Sequence, residues 1–194
     1  MNTLDQLGIT HQTDKASQFS RTYAKPHDYL RHLELFFGPL RNRAIKLLEI
    51  GVGGGESIQT WLDYFPQGKV FGVDMVHDTN EWNIPKLPPG ERYTFVHGNQ
   101  SSVVFWKSFL NVHGGDWDII IDDGSHVSTD IITTFKCLWG SVRSGGFYEI
   151  EDLASAKEAD LALRDMLTGL HAGTSEIDAI YFAKELCIMR KGLS

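Results

Sequence analysis

The residues best suited to chemistry stand at the end of one apolar run. The segment DWDIIIDDGSH, which ends at His126, joins three consecutive isoleucines to two carboxylates and an imidazole. A short, continuous apolar run bounded by glycines is typical of a strand buried on both faces. Open α/β sheets bind their ligands at the carboxyl ends of the strands. The sequence therefore predicts a functional site around Asp122, Asp123 and His126.

A second acidic group ends another strand pattern, FYEIED, at Glu151 and Asp152. The predicted strand order makes the two strands neighbours, so their carboxylates would meet in a crevice that is unfavourable without a cation. Oxygen ligands without cysteine favour Mg²⁺ or another hard divalent cation. Such an ion lowers the pKa of a bound alcohol, and His126 is placed to take the departing proton.

Helix capping is the alternative interpretation of these acids. Asp123 or Ser125 could cap a helix that starts near Val127. The clustering of several acids with His126 favours the metal site instead. Glu149 is left outside the predicted metal set, because the sequence does not fix the direction of its side chain.

A glycine-rich turn, Gly51 to Gly55, joins the first predicted strand to the first helix behind it, so its amides would face a ligand. The third glycine of a GxGxxG motif would fall at Glu56, and Glu49 places a carboxylate where a pyrophosphate would be repelled. A carboxylate there suits a cationic ligand such as S-adenosylmethionine. Asp74 is placed to accept hydrogen bonds from ribose hydroxyls. The alternative is that the glycines only allow close packing of helix on strand.

Strand and helix patterns alternate around these motifs. Strand patterns cover residues 45–50, 69–74, 92–97, 119–121 and 147–152, and helix stripes cover residues 26–40, 58–65, 103–110, 127–139 and 157–170. Two closing apolar segments, IDAIYFA and LCIMRK, predict an antiparallel hairpin. The fold class is therefore α/β, a doubly wound Rossmann-like sheet that is mostly parallel and ends in an antiparallel hairpin.

Local signals set the boundaries of these elements. Pro26 is suited to the start of a helix, and Gly38 with Pro39 ends it. Residues 1–25 read as an extended or short-helical arm, and residues 77–90, with three of the six prolines, read as a loop.

Bulk properties predict one domain over residues 1–194. A net charge of −7 argues against a nucleic-acid partner. No leader or membrane-length apolar run occurs, which predicts a cytoplasmic protein without a membrane partner. Cys137 and Cys187 are expected to be reduced thiols. The oligomeric state stays open, a homo-oligomer included.

The motifs LLEIGVGGGESIQTWLDYFP, GVDM, HGNQSS, DIIIDDGSH and GGFYEIEDL, with the triplet Thr13-Asp14-Lys15, together resemble the metal-dependent sugar O-methyltransferases of macrolide biosynthesis, the macrocin and mycinamicin type. This resemblance implies the class I methyltransferase fold, an S-adenosylmethionine cofactor and a divalent metal. It implies metal ligands at Asp123, Glu151 and Asp152, with His126 as the general base. The cofactor contacts that it implies, or that the glycine turn predicts, are Thr13, Lys15, Glu49, Gly51, Gly53, Asp74, Met75, Asn99, Gln100 and Asp122.

Residues 1–40 would then form an N-terminal arm and helix, with Thr13 and Lys15 in a lid over the methionine end of the cofactor. The predicted reaction is O-methylation of a hydroxyl on a small-molecule acceptor, a sugar or a sugar-bearing metabolite. Two alternatives from the enzyme class are a catechol-type metal-dependent O-methyltransferase and a nicotinamide-dependent dehydrogenase. A non-catalytic cofactor-binding module is the alternative outside that class.

Overall fold

The computed structural model describes residues 2–20, 25–75, 91–171 and 176–193. Within these ranges one sheet runs in the strand order β3-β2-β1-β4-β5-β7-β6. The strands are β1 (Lys46–Ile50), β2 (Lys69–Asp74), β3 (Tyr93–His97), β4 (Trp117–Asp122), β5 (Val142–Ile150), β6 (Ile177–Phe182) and β7 (Cys187–Lys191). The first five strands are parallel, and β7 pairs antiparallel with both β5 and β6. The predicted fold class and closing hairpin are confirmed.

Helices cover both faces of this sheet. They are α1 (Leu4–His11), α2 (Leu30–Phe37), α3 (Glu56–Tyr64), α4 (Val103–His113), α5 (Ser128–Leu138) and α6 (Lys157–His171), with short 3₁₀ turns at Gly38–Leu40, Trp139–Ser141 and Leu153–Ser155. The first three helices pack on one face and the last three on the other. Each face buries its own apolar core, as a doubly wound sheet requires.

Strand β4 lies at the centre of the sheet and contributes to both cores. Ile119 and Ile121 belong to the core under α1, α2 and α3, whereas Ile120 belongs to the opposite core. All three side chains are fully buried. Successive side chains of a strand point to opposite faces, so the same alternation determines which face the acids beyond the strand reach. The two faces are called the α1–α3 side and the α4–α6 side below.

The prediction that Pro26 starts a helix is wrong, because α2 begins at Leu30. The amides of His27 and Asp28 instead donate to the carbonyl oxygens of Asp14 and Ala16 in the arm. Asp28 also has a φ of 64°, which no helix allows. Tertiary hydrogen bonds to the arm therefore override the local proline signal.

Most other boundaries agree with the sequence to within about three residues. Strand β5 is an exception, because it begins at Val142 instead of Phe147 and ends at Ile150, before Glu151 and Asp152. The predicted arm contains the helix α1, whose N-terminus has a capping box formed by Thr3 and Gln6. Both cysteines are free thiols, as expected. The predicted loop at residues 77–90 lies within 76–90, outside the described residues. Among the described helices, none combines the length and the apolar character needed to cross a bilayer.

Candidate functional site

The glycine turn after β1 is shaped by its contact with the end of β4. Gly51 has a φ of 85°, and a Cβ atom there would lie 1.9 Å from the carbonyl oxygen of Asp123. Only glycine tolerates both conditions. Gly53, with a φ of 50°, faces open space instead, and a Cβ atom there would meet nothing within 4 Å. The turn therefore leaves room for a ligand on one side and touches the acidic segment on the other.

Asp74 fastens the glycine turn to the end of β2. Its Oδ2 accepts hydrogen bonds from the amides of Val52 at 2.8 Å and Gly53 at 3.0 Å. These bonds hold the turn against the end of β2. The structure thus places Asp74 in the wall of the predicted nucleoside site.

A cavity of about 670 Å³ opens at the carboxyl ends of β1, β2 and β4. This volume lies within the range of small-molecule and cofactor sites. Eleven of the fourteen predicted site residues line it: Thr13, Lys15, Gly51, Gly53, Asp74, Met75, Asn99, Gln100, Asp123, His126 and Asp152. The structure therefore brings eight of the ten predicted cofactor residues and the predicted base to one cavity.

Three predicted residues, Glu49, Asp122 and Glu151, are buried beneath that wall and do not line the cavity. Their roles at the cofactor or the metal stay predictions. Each of the three instead makes polar contacts inside the protein, and those contacts differ in kind.

Asp122 lies on the α4–α6 side of the sheet, among neutral donors. Its Oδ1 accepts from Gln100 Nε2 at 3.0 Å, and its Oδ2 accepts from the Tyr148 hydroxyl at 3.5 Å. Burial raises the pKa of Asp122 to about 7, and the bonds from Gln100 and the Gly124 amide act against that rise. Gln100 in turn accepts from the Ser125 amide at 2.6 Å. Asp122 therefore holds Gln100, a residue that lines the cavity, in place from the buried side.

Glu49 lies on the α1–α3 side and is fully buried. Its Oε2 accepts from Ser57 Oγ at 2.9 Å and from Trp61 Nε1 at 3.1 Å. Burial raises the pKa of Glu49 to about 7, although Lys15 lowers it. The sequence predicted a cationic ligand near Glu49. In the structure the cation beside Glu49 is Lys15, whose ammonium nitrogen lies 3.6 Å from Oε1.

Lys15 enters the acidic group from the N-terminal arm. Its ammonium group donates to Asp123 Oδ2 and, at 2.5 Å, to Glu151 Oε2. Burial lowers the pKa of Lys15, but the charges of Asp123, Glu151, Glu49 and Glu149 together raise it well above the usual value. The surrounding acids therefore favour the ammonium form of Lys15, although its side chain is only 3% exposed.

Three predicted residues come together at the open edge of the cavity. His126 Nε2 lies 3.9 Å from Asp123 Oδ1 and 3.7 Å from Asp152 Oδ2. One ligand atom from each lies within 4.8 Å of the others, which is close enough to share a metal ion. His126 and Asp152 have φ values of 54° and 55°, a backbone strain that often marks functional positions. Glu151 is not in this group.

Glu149 and Tyr29 complete the surroundings, and neither was in the predicted site. Glu149 is fully buried, and burial raises its pKa well above the usual value, although the charge of Lys15 lowers it. Strand alternation places it on the face of Glu151, a signal available from the sequence. The Tyr29 hydroxyl donates to Asp152 Oδ1 at 2.7 Å, a contact across 123 residues that no local pattern reveals.

The donor set fits a hard divalent cation. Asp123 and Asp152 offer carboxylate oxygens, and Glu151 Oε1 is buried without a hydrogen-bond partner among the described residues. An orphaned carboxylate oxygen beside several others is unfavourable unless a cation is near. Burial raises the pKa of Asp123, and the charge of Lys15 offsets only part of that rise. The residues present therefore fit the metal that the sequence predicts.

Comparisons with known proteins agree with this geometry. The chain is 36% identical over 162 residues to the 8-demethyl-8-(2-methoxy-alpha-L-rhamnosyl)-tetracenomycin-C 3'-O-methyltransferase of Streptomyces olivaceus, covering 79% of this chain and 37% of that protein. It is 33% identical over 152 residues to the mycinamicin VI 2''-O-methyltransferase of Micromonospora griseorubida, covering 72% of this chain and 36% of that protein. The chain thus spans little more than a third of the length of the curated relatives that it matches. No protein-family model matches it.

Among solved structures, the fold matches a MycE methyltransferase from the mycinamycin biosynthetic pathway, solved in complex with Mg, SAH and mycinamycin VI. The TM-score is 0.79 at 26% identity, and the match covers 99% of this chain and 55% of that one. The chain therefore belongs to the family of sugar O-methyltransferases, as its motifs predicted, and its sheet is the methyltransferase Rossmann-like sheet.

Proposed function

We propose that this homologue of sugar O-methyltransferases is an S-adenosylmethionine-dependent O-methyltransferase that acts on a hydroxyl of a sugar or sugar-bearing small molecule. The observation that carries the proposal is the single cavity lined by both the glycine turn and the group of Asp123, His126 and Asp152. One side suits a nucleoside cofactor, and the other suits a divalent cation beside a base.

The methyl donor would bind across the ends of β1 and β2. Asp74 would accept hydrogen bonds from the ribose hydroxyls, and Asn99 and Gln100 would face the adenine. The amides of Val52 and Gly53 donate to Asp74 in this structure, so the turn would contribute its shape to the site. Thr13 and Lys15, together with Met75, complete that part of the wall. The solved complex of the MycE methyltransferase contains SAH, the product of such a donor, which supports the assignment.

Asp123 and Asp152 would hold the divalent ion, with Glu151 completing the set through its unpartnered Oε1. A bound divalent ion supplies positive charge that lowers the pKa of an acceptor hydroxyl. His126 accepts the hydroxyl proton at Nε2. The acceptor oxygen then forms a bond to the methyl carbon while the carbon–sulfur bond breaks, and the electron pair of that bond stays on sulfur.

The chain's main contribution to rate would be alignment of acceptor and donor in one cavity. The left-handed backbone conformation of His126 and Asp152 supports this, because such strain is often found at functional positions and both residues line the cavity. The buried hydroxyl of Tyr29 orients Asp152 further.

The acceptor is proposed from the relatives, which are named for sugar hydroxyls. The net charge of −7 gives no support to a nucleic-acid acceptor, and the two free thiols agree with a cytoplasmic location.

Transfer of a labelled methyl group from S-adenosylmethionine tests the proposal, with a panel of rhamnosylated and other deoxysugar glycosides and a matched panel of simple catechols. We expect transfer to a glycoside hydroxyl with Mg²⁺ and a loss of transfer with a chelator. Transfer to catechols alone would favour the catechol-type alternative, and metal-independent transfer would contradict the metal assignment. A thermal shift with NADH and none with S-adenosylmethionine would overturn the proposal altogether.

A further inference from the structure

We propose that Lys15 is a positioning residue of the metal centre, a resident cation that holds the acidic strand ends together without a metal ion. It binds one oxygen of Asp123 and one of Glu151 and leaves the other oxygen of each for the ion. The proposal deepens the proposed function and rests on it for the identity of the ion. It assigns Lys15 to the carboxylates, whereas the sequence predicted a contact with the cofactor.

The first support is the position of the ammonium group. It contacts Asp123 and Glu151 directly and lies 3.6 Å from Glu49 Oε1. These acids stand at the ends of β4, β5 and β1, which are adjacent in the sheet. One side chain therefore crosslinks three neighbouring strands at the edge where the site opens.

The second support is the balance of charge. Four carboxylates on the α1–α3 side interact electrostatically with this ammonium group, and those of Asp123, Glu151 and Glu49 lie within 4 Å of it; the fourth is Glu149. All except Asp123 are at most 2% exposed, so water screens their repulsion poorly. Without Lys15 the group would have no positive charge of comparable closeness among the contacts that these acids make in the described residues.

The third support is which oxygens Lys15 leaves open. It uses Asp123 Oδ2, and Asp123 Oδ1 is the oxygen that faces His126. It uses Glu151 Oε2, and Glu151 Oε1 is buried without a partner among the described residues. A carboxylate that is held through one oxygen presents its other oxygen in a defined direction. Lys15 would thus orient these carboxylates in the way that outer hydrogen-bond partners orient metal ligands.

Hydrogen bonds also hold the backbone around Lys15, so this residue is held both at its backbone and at its ammonium group. The carbonyl oxygen of Lys15 accepts from the amide of Leu30, the first residue of α2. The amide of Thr13 donates to the carbonyl oxygen of Gly8 in α1. The arm is thus attached to two helices, and Lys15 connects it to the strand ends.

The test compares Lys15→Met with the charge-conserving Lys15→Arg in thermal unfolding, each in chelator and in saturating Mn²⁺. In chelator we expect Lys15→Met to lower Tm by roughly 10 °C, because it leaves buried carboxylates without their partner. Lys15→Arg should lower Tm by less than half of that amount. Mn²⁺ should raise the Tm of Lys15→Met by more than it raises that of the unmodified protein, because the ion replaces the missing charge.

A merely structural role for Lys15 would lower Tm equally in both conditions, and that result would overturn the proposal. An unchanged Tm of Lys15→Met in chelator would also overturn it. The double variant Lys15→Met/Glu49→Gln serves if the single variant does not fold. Removal of one of the crowded carboxylates should allow the double variant to fold and recover at least half of the lost Tm, and no recovery would count against the proposal.

The same measurements separate this proposal from the proposed function. Mn²⁺ binding to the unmodified protein, followed by electron paramagnetic resonance, tests the metal centre directly. If Mn²⁺ does not bind, the metal assignment fails, whereas the Tm values in chelator still report whether Lys15 holds the acids together.

Discussion

Asp122 and Asp123 are neighbours in the chain, yet they are bound on opposite sides of the sheet and in opposite ways. Asp122 contacts neutral donors, the Gln100 amide and the Tyr148 hydroxyl. Asp123 contacts a buried ammonium group and faces an imidazole across the cavity. Hydrogen bonds from neutral donors suit Asp122, an acid that holds a residue of the cavity wall in place. Several carboxylates around one ammonium group, as at Asp123, suit the binding of a second cation.

Burial of an acid therefore does not by itself identify a metal ligand. Burial raises the pKa of both residues. The two residues differ in the charge of the groups that contact them. They differ also in their access to the cavity, because Asp123 lines it and Asp122 does not. The chemistry is therefore expected on the α1–α3 side, and substitutions on the two sides should have unequal effects.

The largest effect is expected at His126, on the side of Asp123. His126→Ala should lower kcat by roughly 100-fold or more, the usual contribution of a general base, while S-adenosylhomocysteine binds with its original Kd. Steady-state kinetics and calorimetry measure the two quantities. His32→Ala is the matched control, since that imidazole bonds to Tyr181 and does not line the cavity. Equal loss in both variants would remove His126 as the base.

A large effect on stability is expected at the contact between the glycine turn and Asp123. Gly51→Ala should lower the free energy of unfolding by roughly 3 kcal/mol, because it adds left-handed strain to a direct clash with the backbone of Asp123. Gly53→Ala, with a positive φ but open space, should cost only about 1 kcal/mol. Urea unfolding of both variants measures the difference, and equal losses would show that the contact is not tight.

The pair Asp123→Asn and Asp122→Asn tests the difference between the two sides directly. Asp123→Asn should weaken Mn²⁺ binding by roughly tenfold or more, because it removes a charge from the cavity wall. Asp122→Asn should change Mn²⁺ affinity by less than about threefold, since its carboxylate is bound on the other side. Titrations monitored by electron paramagnetic resonance give both values. The reverse order would contradict the division of the two sides.

The smallest effect is a pH dependence from Glu49. Its pKa is about 7 in the folded protein against an ordinary value of 4.5, so between those values the folded chain binds more protons than the unfolded chain. The contribution of Glu49 to the free energy of unfolding should therefore fall as pH rises from about 4.5 to about 7, and Asp122, whose pKa is also about 7, adds a contribution of the same sign. Glu49→Gln should flatten this decline in urea unfolding with chelator present. A profile as steep as that of the unmodified protein would assign the decline to other acids.

Most of the fold could be predicted from the sequence, because local patterns and strand alternation carry it. The run Ile119 to Ile121 forms the central strand as predicted, and the closing hairpin pairs antiparallel. The helix start at Pro26 could not be predicted correctly, since hydrogen bonds to the distant arm decide the conformation of that segment.

The candidate site was predictable where its residues follow strands. Parallel strands end at the same edge of a sheet, so the meeting of Asp123 with Asp152 follows from topology. The position of Lys15 does not, because it meets Asp123 across 108 residues and Glu151 across 136. Such contacts depend on how the arm folds over the sheet, which no periodic pattern contains.

The central claim is that acids at the ends of β4 and β5 bind a divalent cation beside the methyl donor. A crystal soaked with Mn²⁺ and S-adenosylhomocysteine tests it most directly, through anomalous scattering at the manganese absorption edge. We predict one strong anomalous peak in contact with Asp123 and Asp152, and the nucleoside against the glycine turn. An S-adenosylhomocysteine-bound cavity without a manganese peak at these carboxylates would contradict the claim.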